Sequence, residues 1–165
     1  MDKVVEIFEN VRDIPYYALE KRDPQKLMQE GRGSCLEKNV FLARRYEGIG
    51  IPVRYFLIDF DWRNLPIPEE IISKRSDFFS KHLAIKIKKE RWIWVDSTWD
   101  SKLEIAGFPL TRQWDGNTDT KLAVRPLDKK EIKSPPDGMV IKKNQKFFSA
   151  LNKYLHEVRE NARRS

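Results

Sequence analysis

One cysteine and two histidines stand among the 165 residues. A single thiol rules out any disulfide within the chain, and such cysteine poverty suits a reducing compartment. One Cys and two His also fall short of a common structural zinc site. Long apolar runs are missing, and none approaches the roughly 20 residues that a membrane-spanning helix needs. The opening MDKVVEIFEN lacks the apolar core of a signal peptide. No internal repeat and no low-complexity tract interrupts the chain. These absences lead us to expect a cytoplasmic protein with no membrane partner, no metal and no cofactor.

What is present suits one domain over residues 1–165. Hydrophobic residues make up 40% and aromatics 12%, enough for a real core and against disorder. The net charge is +7. That balance fits a nucleic-acid or acidic partner, but bulk charge alone points first to a well-solvated basic surface.

Val4, Ile7, Phe8 and Val11 recur at helical spacing, which predicts an amphipathic helix over 3–12. Asp23-Pro24 reads as an N-cap with Pro at the first helical position, opening a short helix to about Gln29. Gly31 and Gly33 break it. Ser34 followed by Glu37 is a capping box, so the next helix runs over 35–47 with Cys35 in its first turn. Val53–Phe60 reads as an internal strand, and a short helix is expected at 69–75. Strands are predicted at Lys81–Lys88, Arg91–Thr98 and Leu122–Leu127. Residues 101–120 look irregular. A C-terminal amphipathic helix covers about 144–162, through Phe147, Leu151, Tyr154, Leu155 and Val158. Helices first, then antiparallel strands, then a helix is an α+β order.

A hairpin symmetric about Lys89 sets Leu83 opposite Val95 and Ile85 opposite Ile93 on one apolar face. On the other face His82 meets Asp96, and Ala84 meets Trp94. Cross-strand Cβ atoms lie about 4.5–5.5 Å apart, within reach of a carboxylate–imidazole hydrogen bond. With Cys35 at a helix start, these three residues make a thiol triad. A helix N-terminus favours thiolate, imidazole moves the proton, and the carboxylate fixes the imidazole tautomer. First-turn N–H groups, that of Cys35 included, suit a developing oxyanion. The plain alternatives are a buried apolar thiol, a satisfied strand histidine and a turn-forming aspartate.

Gly31-Arg32-Gly33-Ser34-Cys35, with Gly48-Ile49-Gly50-Ile51-Pro52-Val53-Arg54 after the helix, resembles the cysteine block of the transglutaminase-like superfamily. His82-Leu83-Ala84 and Trp92-Ile93-Trp94-Val95-Asp96-Ser97-Thr98-Trp99 resemble its histidine and aspartate blocks, in the family order. The likeness covers about residues 24–100 and is to a small prokaryotic-type single-domain member. It implies a papain-like core in which a Cys-bearing helix packs on an antiparallel sheet carrying His and Asp. It also implies acyl chemistry on a peptide or protein amide through a thioester: hydrolysis, deamidation or transamidation. Cys35 is then the nucleophile, His82 the general base and acid, and Asp96 the orienter. No EF-hand-like loop accompanies the blocks, so calcium is not implied.

Gln29, six residues before Cys35, has the spacing of the oxyanion glutamine in papain-like enzymes, a position that varies in transglutaminase-like proteins. Trp94, Trp62 and Trp99 are candidates to line the cleft. From Lys142 to Ser165 there are seven Lys/Arg against two Asp/Glu. This segment is either an RNA- or acidic-protein-binding helix, or a core-packed helix with a solvated basic face and an exposed His156. A non-catalytic interaction module on the same fold, or a basic nucleic-acid-binding protein, are the alternative function classes.

Overall fold

The computed structural model describes residues 2–164. Helix α1 (Lys3–Arg12) starts where the Asp2 carboxylate accepts from Val4 N at 2.9 Å. Its apolar stripe, Val4, Ile7, Phe8 and Val11, is buried. Strand β1 (Lys21–Arg22) is short, and α2 (Leu27–Glu30) begins later than the sequence suggests. Asp23-Pro24 forms a turn instead, with Lys26 N donating to Asp23 O and Gln25 N to the Asp23 side chain. Gly31, at φ +68°, ends α2. Helix α3 (Cys35–Gly48) follows, and then strand β2 (Val53–Asp61). After the short helix α4 (Glu69–Ile72) come β3 (Phe79–Lys88), β4 (Trp92–Val95), β5 (Asp128–Ile132) and β6 (Met139–Val140). Helix α5 (Gln145–Arg164) completes the order.

The architecture is α+β with two antiparallel sheets. One has four strands in the order β4-β3-β2-β5; β1 and β6 pair as a separate ribbon. Alternation along β3 divides the core. Leu83, Ile85 and Ile87 pack with α1 and α3, while Ala84 joins Ile58, Phe60 and the buried face of α5. Phe147, Leu151 and Leu155 of α5 are fully buried. Each such side chain contributes about 1.5–3 kcal/mol. Arg159 of α5 adds a two-pronged ion pair to Asp100, at 2.8 and 2.9 Å.

The β3–β4 register differs from the symmetric hairpin drawn about Lys89. Ile85 faces Val95 and Ile87 faces Ile93, a slip of two residues. Lys88 pairs with Trp92, and the connection is Lys89-Glu90-Arg91, closed by Lys89 N donating to Arg91 O at 3.0 Å. An even slip leaves every side chain on its expected face, since the pleat repeats every two residues. Leu122–Leu127 is not a strand. Its backbone bonds elsewhere: Ala123 N donates to Asp96, Ala123 O accepts from Trp99 Nε1, and Leu127 N donates to Asp59 O. The fourth strand is the polar, largely exposed β5 just beyond it.

Candidate active site

The approach to Cys35 is tightly built. Gly33 N donates to Pro15 O, and Tyr17 N donates to Gly33 O, stitching this turn to residues 15–17. Gly33 is needed for space: a Cβ there would lie 2.7 Å from Glu37 Cβ and 3.1 Å from Leu27 Cδ1. We expect Gly33→Ala to destabilise the protein by about 1–3 kcal/mol, the usual range for overpacking. Urea denaturation measures it, and an unchanged midpoint would refute the packing argument. Glu37 then reaches back one turn. Its Oε1 accepts from Ser34 N at 2.8 Å and Ser34 Oγ at 2.7 Å, and its Oε2 from Asp23 N at 2.9 Å. Cys35 is therefore held at the start of α3, half-buried and reduced.

His82 and Asp96 are buried and joined: His82 Nε2 and Asp96 Oδ2 lie 2.7 Å apart. The slipped register places them diagonally rather than face to face, and the longer reach still closes the bond. Asp96 Oδ2 also accepts from Ala123 N at 2.8 Å. Its Oδ1 accepts from Thr98 Oγ1 at 2.5 Å, Thr98 N at 3.1 Å and Asn39 Nδ2 at 3.2 Å. Burial by itself raises the Asp96 pKa. The charge and hydrogen bond of His82, with the Thr98 hydroxyl and the Ala123 N–H, outweigh burial and hold the carboxyl below its usual range. Burial likewise pushes the imidazole down, but Asp96 and the Cys35 sulfur, each by charge and hydrogen bond, raise it overall. With Nε2 committed to Asp96, Nδ1 is the ring nitrogen left for the thiol.

Asn39, one turn along α3 from Cys35, is fully buried and ties these parts together. Its Nδ2 donates to Leu83 O at 2.8 Å and Thr98 Oγ1 at 3.1 Å, besides Asp96. Its Oδ1 accepts from Ser97 N at 3.0 Å and Ser97 Oγ at 2.9 Å. The Ser97 N–H can only donate, so the amide orientation is fixed. Lys38, also fully buried, points Nζ at three carbonyls: Arg12 O at 2.8 Å, Ile14 O at 2.6 Å and Thr98 O at 2.9 Å. Sequence reading singled out neither residue. The signal available was two polar residues inside the one helix that carries the thiol.

Cys35 and His82 line one cavity of about 390 Å³. No family model, no curated protein and no solved structure matches the chain.

Trp62 and Trp99 lie in the cavity wall. Trp94 lies away from it. The register slip carries it opposite Lys86, where its ring meets Phe56 at 4.8 Å and the Lys86 ammonium at 4.7 Å. Gln29 also lies away from the wall: it is exposed on α2, its amide oxygen accepting from Lys26 Nζ at 3.0 Å. His156 is exposed on α5. Among the described residues no group of three or more His, Cys, Asp or Glu is placed to hold a metal ion. No helix among them is long and apolar enough to cross a membrane.

Proposed function

We propose that the protein is a cysteine-dependent acyl-transfer enzyme that opens an amide bond through a thioester, on a papain-like core of transglutaminase-like type. The observation that carries this reading is the 2.7 Å His82–Asp96 contact, made in a cavity whose wall also holds Cys35. Cys35 Sγ attacks the amide carbonyl as its proton passes to His82. The S–C bond forms, and first-turn N–H groups of α3 face the developing oxyanion. The C–N bond then breaks as His82 returns the proton to the leaving amine. Water attacks the thioester in the second half, with His82 taking its proton and delivering it to the departing sulfur. Asp96 holds the ring tautomer throughout and stabilises the imidazolium. Hydrolysis is the default outcome, because transamidation needs an amine site and exclusion of water.

Alkylation of Cys35 by chloroacetamide, followed by mass spectrometry from pH 5.5 to 9, tests the reading. A free thiol near pKa 8.5 is almost wholly protonated at pH 6. We expect wild type to react at pH 6 at least about tenfold faster than His82→Ala, whose profile follows an ordinary thiol. Identical profiles in the two proteins would sink the proposal.

A further inference from the structure

The wall of the 390 Å³ cavity is mainly apolar and aromatic, with Leu36, Phe60, Trp62, Trp99 and Val124 among its residues. That volume is within the range of sites that enclose a small organic group. No Asp or Glu lines it. Its charged residues are Arg22, Lys81 and His82. Lys81 is paired with Asp59 at 2.7 Å, and the Arg22 guanidinium lies 5.0 Å from the Phe148 ring centroid. A cation entering this space meets like charges and finds no carboxylate among the described residues of the wall.

Three hydroxyl-bearing residues, Tyr16, Ser80 and Thr98, interrupt the apolar wall, and the Thr98 hydroxyl is committed to Asp96. Ser80 lies two residues before His82 on the same face of β3. Its Oγ accepts from Trp62 Nε1 at 2.9 Å and from Arg75 Nη2 at 3.2 Å. Indole and guanidinium only donate, so both lone pairs of Ser80 are taken. The Ser80 hydroxyl proton has no acceptor among the described residues. Ser80 is half-buried, so a ligand that covers it must offer that hydroxyl an acceptor or forfeit its hydrogen bond to water.

We propose that this cavity takes the acyl-side residue of the amide substrate, a residue with a large uncharged apolar side chain, and that Ser80 donates to the carbonyl oxygen of the group that precedes it. The inference rests on Cys35 being the nucleophile, and it names what the thiol is offered. Aromatic and branched aliphatic side chains fill the apolar wall. Glutamine would bury a polar amide in a mainly apolar wall, lysine would bury a charge, and glycine would leave the space empty.

The test uses the Cys35→Ala protein, in which chemistry is silent, and the peptides acetyl-X-glycinamide with X as Phe, Leu, Gln, Lys or Gly. NMR titration reads the dissociation constants. We expect Phe and Leu to bind at least about tenfold tighter than Gln, Lys and Gly. Ser80→Ala should weaken the Phe peptide by about three- to tenfold. Ser80→Thr, which keeps the hydroxyl, should restore binding. Equal binding of Gln or Lys, or no loss in Ser80→Ala, overturns the proposal. Binding and labelling fail separately: apolar selectivity beside an ordinary thiol removes the acyl-transfer reading, whereas an activated thiol without selectivity removes this one.

Discussion

Asn39→Ala is expected to destabilise the protein by about 3–5 kcal/mol and to slow chloroacetamide labelling at pH 6 toward the His82→Ala rate. The buried amide serves five partners: Leu83 O, Asp96 Oδ1 and Thr98 Oγ1 as acceptors, and Ser97 N and Oγ as donors. Truncation orphans the Ser97 N–H and the Leu83 carbonyl, each a loss of about 1–3 kcal/mol, and leaves a small void besides. The two effects have separate causes. Stability falls because buried polar groups lose partners. Labelling slows because Asp96 loses a donor and its loop loses the tether to the Cys35 helix. Asn39→Asp should be no milder, since it turns an oxygen toward Leu83 O and the Asp96 carboxylate. Chemical denaturation and labelling rates measured on the same samples check this. An Asn39→Ala protein as stable as wild type would contradict the hydrogen-bond count.

Lys38→Met is expected to cost a similar amount, about 3–5 kcal/mol, for a different reason. Methionine keeps the stem's apolar packing, but three buried carbonyls lose their donor. Burying a charge is itself costly, and replacing a whole buried ionic cluster by apolar groups can be neutral. Here only the cation goes, and the carbonyls stay. The pH dependence adds a second check. Burial lowers Lys38 from 10.5 to about 7; Arg159 adds to this, and Asp100, Asp13 and Asp96 oppose it. Between about pH 7 and 10.5 the unfolded chain therefore holds more protons at this group than the native protein does. The stability of wild type minus that of Lys38→Met should rise with pH across that window and stay level below it. A difference that falls with pH would show that the three carbonyls, which favour the ammonium, outweigh burial.

Lys38 and Asn39 also mark where the sequence stops being legible. The start of α3 was readable because its cause is local: Ser34 and Glu37 are three residues apart. The faces of β3 and β4 were readable because alternation is local too. The register was not, since the Lys89–Arg91 connection has no strong turn residue and an even slip preserves the apolar pattern. Strand β5 was hidden because its residues are almost all exposed, so apolar Leu122 and Val124 drew the expectation to the wrong segment. Lys38 and Asn39 are polar residues on a helix, which reads as a solvent face. Their partners, at residues 12–14, 83 and 96–98, converge only in the folded chain. Ser80 lies just before the strand expected from Lys81, and the occupation of its lone pairs by Trp62 and Arg75 arises only in the folded chain.

The ribbon of β1 and β6 joins Lys21 to Val140. Nearby, Ala18 N donates to the Asn152 side chain across a sequence separation of 134 residues. Met139 and Ile141 beside that ribbon belong to the cavity wall. During synthesis, then, the Cys35 helix and the His82 strand emerge well before the segment that closes over them. Until residues 139–141 have followed them out, the cavity stands open on that side, so its apolar enclosure is a late-forming part of this fold.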